Sequence, residues 1–183
     1  MSVISAVPGP GHGFLPSVPE GIAAGHTVIA AVIEWKGRIA LFKRSRRVGY
    51  DSELWHCITG FLECGATPEQ QVREELLEET GLQAKDLLDI RPGRALVIND
   101  SFGTSWLVHT FTASTSQRRL TLDWEHESYR WTTPAKVKRF SNRVSWLDDV
   151  LTATGHLTAL GPPAPVGAGR SGQRRSDDRD DGP

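Results

Sequence analysis

From residue 26 onward the chain alternates apolar, β-branched stretches with short polar breaks. Residues 26–35 (HTVIAAVIEW) are apolar and bounded by Gly25 and Gly37, the pattern of a buried strand. Lys36-Gly37 predicts a tight turn into a second strand, residues 38–44 (RIALFKR), so the two read as a hairpin. A basic loop over 44–51 leads to a third β-like stretch, 54–62 (LWHCITGFL), in which Gly60 marks a bend or a close backbone approach. The strongest helix signal covers residues 68–80. Thr67 can cap it, Pro68 occupies its first position and Gly81 stops it. Further strands are expected over 88–98, 104–113 and 129–131. Residues 134–139 form a short helix at most, and 141–154 (SNRVSWLDDVLTAT) read as an amphipathic closing helix. Hairpins followed by helices, without strict βαβ alternation, predict a mixed sheet covered by helices.

The helix over 68–80 carries the chemistry. At 100° per residue, Val72, Leu76 and Thr80 form one stripe with Leu77 beside it. Glu75, Glu78 and Glu79 then cluster on the opposite side at spacings i, i+3 and i+4. Carboxylates so placed repel one another. Hard oxygen ligands of this kind suit Mg²⁺, whose coordination is completed by water and substrate phosphates. A solvated acidic face would show the same spacing. The loop ahead of the helix, with Gly60, Glu63 and Gly65, favours the metal reading, because glycines let backbone approach a phosphate or a metal.

Composition narrows the classes. At 183 residues, 38% hydrophobic and 23% charged, the chain is sized for one domain with its own core. A net charge of −1 provides no general field for duplex nucleic acid or an anionic membrane. Two cysteines, Cys57 and Cys64, are too few for a disulfide framework and lack CxxC spacing, which points to a reduced, cytoplasmic setting. The first residues have neither a basic n-region nor an unbroken apolar run, so neither a signal peptide nor a membrane span is expected. The organisation expected is an irregular lead-in over 1–24, a folded domain over 25–158 and a disordered Arg/Asp-balanced tail over 159–183.

Residues 60–82, GFLECGATPEQQVREELLEETGL, resemble the Nudix hydrolase family. Its box runs Gly, five residues, Glu, seven residues, then Arg-Glu-U-x-Glu-Glu-x-Gly-U, where U is bulky and aliphatic. Gly60, Glu75, Leu76, Glu78, Glu79, Gly81 and Leu82 fall on box positions. Two positions depart: the first box glutamate falls at Ala66 and the box arginine at Glu74. In the family that arginine helps hold the glutamates in place. Arg73 lies one residue early and points about 100° away. The resemblance implies an α/β/α sandwich of the α+β kind, with a mixed sheet flanked by helices. It implies cleavage of a phosphoanhydride in a nucleoside or pterin di- or triphosphate derivative, with Mg²⁺, or Mn²⁺, as cofactor. Gly60, Glu75, Glu78 and Glu79 would form the metal site, with Glu78, Glu79 and Glu125 as catalytic groups. Nudix folds that bind nucleotide without cleaving it form the alternative, motivated by Ala66 and Glu74. A homodimer is compatible with this fold.

A second stretch, residues 124–143 (WEHESYRWTTPAKVKRFSNR), resembles the C-terminal part of bacterial dihydroneopterin triphosphate pyrophosphatases. By that likeness Glu125 would be a metal ligand or the general base, with Glu127 its rival. For the substrate, the basic run from Lys43 to Arg47 offers Arg44 or Arg46 as a phosphate clamp. Tyr50 and Trp55 could stack on a base or pterin ring, although Trp55 fits a core strand equally well. No Ser/His/Asp or Cys/His arrangement is evident, so water is expected to attack directly.

Overall fold

The computed structural model describes residues 5–6, 26–100 and 103–158. The expected tail over 159–183 lies outside them, as does the lead-in over 1–24 apart from a two-residue strand, β1 (Ser5–Ala6).

Among the described residues one mixed sheet of nine strands organises the domain. Its spine is β2 (Thr27–Trp35), whose central residues Ile29–Ile33 are fully buried because apolar side chains leave both faces. Along one side β2 pairs in parallel with β8 (Ser105–Thr115). The outer neighbours of β8 are β6 (Leu87–Pro92) and β7 (Leu96–Asn99). The stretch expected as one strand over 88–98 breaks between these two at Pro92-Gly93.

The expected hairpin between β2 and β3 (Arg38–Arg44) forms only at its turn. Lys36 and Gly37 both have positive φ (47° and 70°), and just Glu34–Ile39 and Trp35–Arg38 pair beyond it. The strands then diverge. The third β-like stretch divides to fill the gap: β4 (Trp55–His56) pairs with β3, and β5 (Ile58–Phe61) pairs with β2. The other edge of β3 takes β9 (His126–Thr132), antiparallel, with a bulge between Lys43 and Arg44.

Helices cover both faces. α1 (Pro68–Thr80) has the expected boundaries: the Thr67 hydroxyl accepts from Gln70 N–H, and Gly81 turns left-handed at φ 70°. Val72 and Leu76 pack with Ile29, Ala31, Ile33 and Phe111. α2 (Leu147–Ala153) covers the opposite face through Leu147, Val150 and Leu151. It is shorter than the 141–154 expected from its pattern. Ahead of it, Asn142 C=O accepts from Trp55 N–H and Val144 N–H donates to Trp55 C=O, so this backbone is committed to the sheet. Residues 134–139 form a 3₁₀ helix. No helix among the described residues is long and apolar enough to cross a membrane.

The stripe on α1 also differs from expectation. Leu77 is 49% exposed, whereas Glu79 and Gln71 are buried beside Val72, Leu76 and Thr80. Helical rotation places 71, 72, 75, 76, 79 and 80 on one broad face, and polar members of that face went unseen in an apolar count. Leu76, fully buried, is the apolar anchor. Leu76→Ala is expected to cost about 2–5 kcal/mol in denaturant unfolding; a loss under 1 kcal/mol would show that α1 is held by its polar face instead.

Candidate metal and phosphate site

Three segments converge where β3 ends, β9 begins and β5 runs into α1. Gly60 on β5 lies directly under Glu75. A Cβ added at Gly60 would collide with the Glu75 carboxylate, so the glycine makes room for that side chain. Gln71, one turn earlier on α1, orients the same carboxylate by donating from Nε2 to Glu75 Oε1 at 3.0 Å, and its own amide oxygen accepts from Glu63 N–H at 3.2 Å. Burial pushes the Glu75 carboxyl above its usual range, partly offset by the Gln71 bond and reinforced by Glu78, Glu125 and Glu63.

Glu79 lies deeper. It is 5% exposed, and its Oε2 is buried without a hydrogen-bond partner. Burial first, then the charges of Glu75, Glu125 and Asp123, raise its pKa to about 9, with Arg44 pulling the other way. Glu78 is exposed, and its charge helps to raise the pKa of Glu75.

The bulge in β3 and β9 separates the two rival carboxylates of the 124–127 segment. Glu127 is turned outward, onto Lys43 Nζ at 3.1 Å. Glu125 is turned inward, where Arg44 reaches it at 3.4 Å and its charge bears on both Glu75 and Glu79. Its backbone is fixed at both ends: Glu125 N–H donates to Asp123 Oδ1 at 3.1 Å, and Ser45 N–H donates to Glu125 C=O at 2.7 Å.

Other residues singled out above are placed differently. Arg46 is largely exposed and pairs with Glu53 at 2.8 Å. Tyr50 stands 83% exposed in the loop after β3. Trp55 is buried edge-on to Phe140, the core placement its strand pattern allowed. Tyr129 and Trp131 hold the 118–120 loop, the tyrosine hydroxyl accepting from Leu120 N–H and the indole donating to Arg118 C=O. Glu74 and Arg73 are both exposed, and neither joins an ion pair among the described residues.

Sequence reasoning missed Asp123, His126, His56 and Gln71. Beneath Glu79 the two imidazoles stack at an interplanar angle of 18°, their Nε2 atoms 3.1 Å apart. His126 Nδ1 is also 3.1 Å from Asp123 Oδ1, while its Nε2 stands 3.8 Å from Glu79 Oε2. Burial depresses the pKa of both histidines. The one sequence-level signal was His56, a polar residue inside the apolar stretch 54–62; His126 lies outside the strand expected over 129–131, because β9 starts three residues earlier.

These donors suit a hard divalent cation. Among the described residues no three His, Cys, Asp or Glu side chains close into a finished cage. A cage is not what Mg²⁺ requires, since one or two carboxylates plus water and phosphate complete its shell. The unpartnered, buried oxygen of Glu79 and the room that Gly60 leaves for Glu75 fit such a partial site.

Comparison with known proteins bears on family and fold. A family model described as the NUDIX domain matches residues 24–152. Nudix hydrolase 19, chloroplastic, of Arabidopsis thaliana is 39% identical over 61 residues, which is 33% of this chain and 14% of that protein's length. The fold resembles the MutT NUDIX hydrolase of Burkholderia pseudomallei (TM-score 0.60, 19% identity, 72% of this chain and 98% of that one). It also resembles the NUDIX domain of Shewanella oneidensis NrtR, solved in complex with ADP ribose (TM-score 0.58, 20% identity, 75% and 92%). With a family match over most of its folded residues, the chain belongs to the Nudix domain family.

Proposed function

We propose that the chain hydrolyses a phosphoanhydride bond in a nucleoside di- or triphosphate derivative, by attack of water and with Mg²⁺. The observation that carries this reading is the buried Glu79 carboxylate, unpartnered at Oε2 and crowded by Glu75 and Glu125. Such crowding is costly without a cation. Glu75, Glu78 and Glu79 would hold the metal. When bound, such a cation neutralises charge on phosphate oxygens and makes water a better nucleophile. Glu125 arrives from a different element, and a carboxylate there can accept the proton that water releases. Arg44, anchored on Glu125, presents a guanidinium to phosphate oxygens at the same place. Arg46 and Tyr50 lie on the loop beyond it, where they would meet the distal part of the substrate.

The likeness of residues 124–143 to pterin triphosphate pyrophosphatases keeps that substrate in the reading beside nucleotides. A cytoplasmic setting belongs to the reading too, since Cys57 and Cys64 are both free thiols. Alanine at position 66, together with a Glu74 that is exposed and joins no ion pair among the described residues, favours a second reading, a module that binds nucleotide without cleaving it.

One panel separates the two. Phosphate and pyrophosphate release is measured from pterin triphosphate, nucleoside triphosphates, nucleotide sugars and ADP-ribose, with Mg²⁺, Mn²⁺ and chelator. Hydrolysis predicts metal-dependent turnover of one class, lost in Glu78→Gln with the fold intact. Full activity in that variant would sink the assignment of Glu78, and binding without turnover across the panel would favour the second reading.

A further inference from the structure

The buried pair His56–His126 reaches no solvent, yet it links two elements of the site. Asp123 Oδ1 lies within hydrogen-bond distance of both Glu125 N–H and His126 Nδ1, so one carboxylate oxygen ties the Glu125 turn to the imidazole. A carboxylate only accepts, which makes His126 Nδ1 the donor and leaves its Nε2 as an acceptor in a neutral ring. The 3.1 Å contact between the Nε2 atoms then needs one proton, and His56 Nε2 must supply it. That assignment leaves His56 Nδ1 as a bare acceptor, and His56 Nδ1 is indeed buried without a partner. His126 Nε2, at 3.8 Å from Glu79 Oε2, is too far to hydrogen-bond that oxygen.

The chain of donors therefore runs in one direction, His56 to His126 to Asp123. His56 belongs to β4, which is held on one side by β3 and on the other by the Asn142–Val144 backbone. The Glu125 turn follows a loop whose residues 116–119 are exposed. Resting on the hydrolase reading above, we propose that His56 is a positioning residue. It anchors the Asp123–His126 turn from inside the core and so sets where Glu125 stands relative to Glu75 and Glu79. His56 itself touches neither metal nor substrate.

The test compares His56→Leu, which removes the donor, with His56→Gln, which keeps an N–H near the position of Nε2. Three readouts are taken on the full chain: cleavage by trypsin after Arg118 and Arg119, resolved by fragment mass; Mn²⁺ affinity without substrate, from the resonance of free Mn²⁺; and kcat and KM. His56→Leu is expected to speed cleavage at those two arginines several-fold. It should weaken Mn²⁺ binding and lower kcat by about tenfold to a hundredfold, with KM little changed. His56→Gln is expected to stay within about threefold of the parent on every readout, the range a retained outer-shell hydrogen bond allows. Equal behaviour of the two variants, or parent-like cleavage and Mn²⁺ affinity in His56→Leu, would overturn the proposal. If the parent neither binds Mn²⁺ nor turns over while cleavage still separates the variants, the hydrolase reading fails and the tether stands.

Discussion

Glu79→Gln is expected to abolish metal-dependent turnover while making the protein in chelator more stable at pH 8. The two effects have one cause. Glu79 is nearly fully buried, and its pKa is raised from the ordinary 4.5 to about 9 by burial and by the charges of Glu75, Glu125 and Asp123. In the unfolded chain the carboxyl releases its proton near 4.5, so between 4.5 and about 9 the folded state holds the extra proton. Stability carried by this group is fully present below pH 4.5 and is lost progressively as pH rises toward about 9. The slope approaches about 1.4 kcal/mol per pH unit at its steepest. Glutamine carries no such charge and occupies nearly the same volume, so the variant should show a flatter dependence of unfolding free energy on pH. In the parent, Mn²⁺ or Mg²⁺ should flatten the slope in the same way, because cation binding replaces the proton. Urea unfolding at pH 6 and pH 8.5, with chelator and with Mn²⁺, measures all of this. A parent whose metal-free stability rises across that interval would refute the burial argument.

Gly60→Ala is expected to lower kcat by about tenfold to a hundredfold with little loss of fold, although it adds a single methyl. The methyl would take the space of the Glu75 carboxylate, and the backbone at Gly60 has no positive φ to oppose alanine. Glu75 is only partly buried, so the side chain can swing outward, giving up its bond from Gln71. Its carboxylate would then leave the neighbourhood of Glu79 and Glu125. Mn²⁺ affinity should fall with kcat, while the midpoint of urea unfolding in chelator stays near that of the parent. Parent-like turnover in Gly60→Ala would remove Glu75 from the site.

Both predictions rest on features of different legibility. The α1 boundaries, the glutamate spacing and the role of Gly60 as a point of close approach could be read from the chain, because capping, helical rotation and the missing Cβ are local properties. The helix's buried polar face could not. Gln71 and Glu79 look like surface residues until strands β2 and β5 and the Glu125 turn close over them. The hairpin expectation failed beyond its turn for a similar reason: a strand's partner is chosen by everything competing for its edge, and β5 takes the place of β3 beside Val28 to Ala31 of β2.

The sequence by itself determined which carboxylates are available, that a helix would carry three of them, and that a mixed sheet would support it. Local rules of turn, cap and period suffice for that. Only the tertiary structure decided which carboxylates meet. A one-residue bulge between β3 and β9 turns Glu125 toward Glu79 and Glu127 away to Lys43, and pairing of His56 with His126 brings together residues 70 positions apart. Register and burial depend on the whole sheet at once, and no window of the chain contains them.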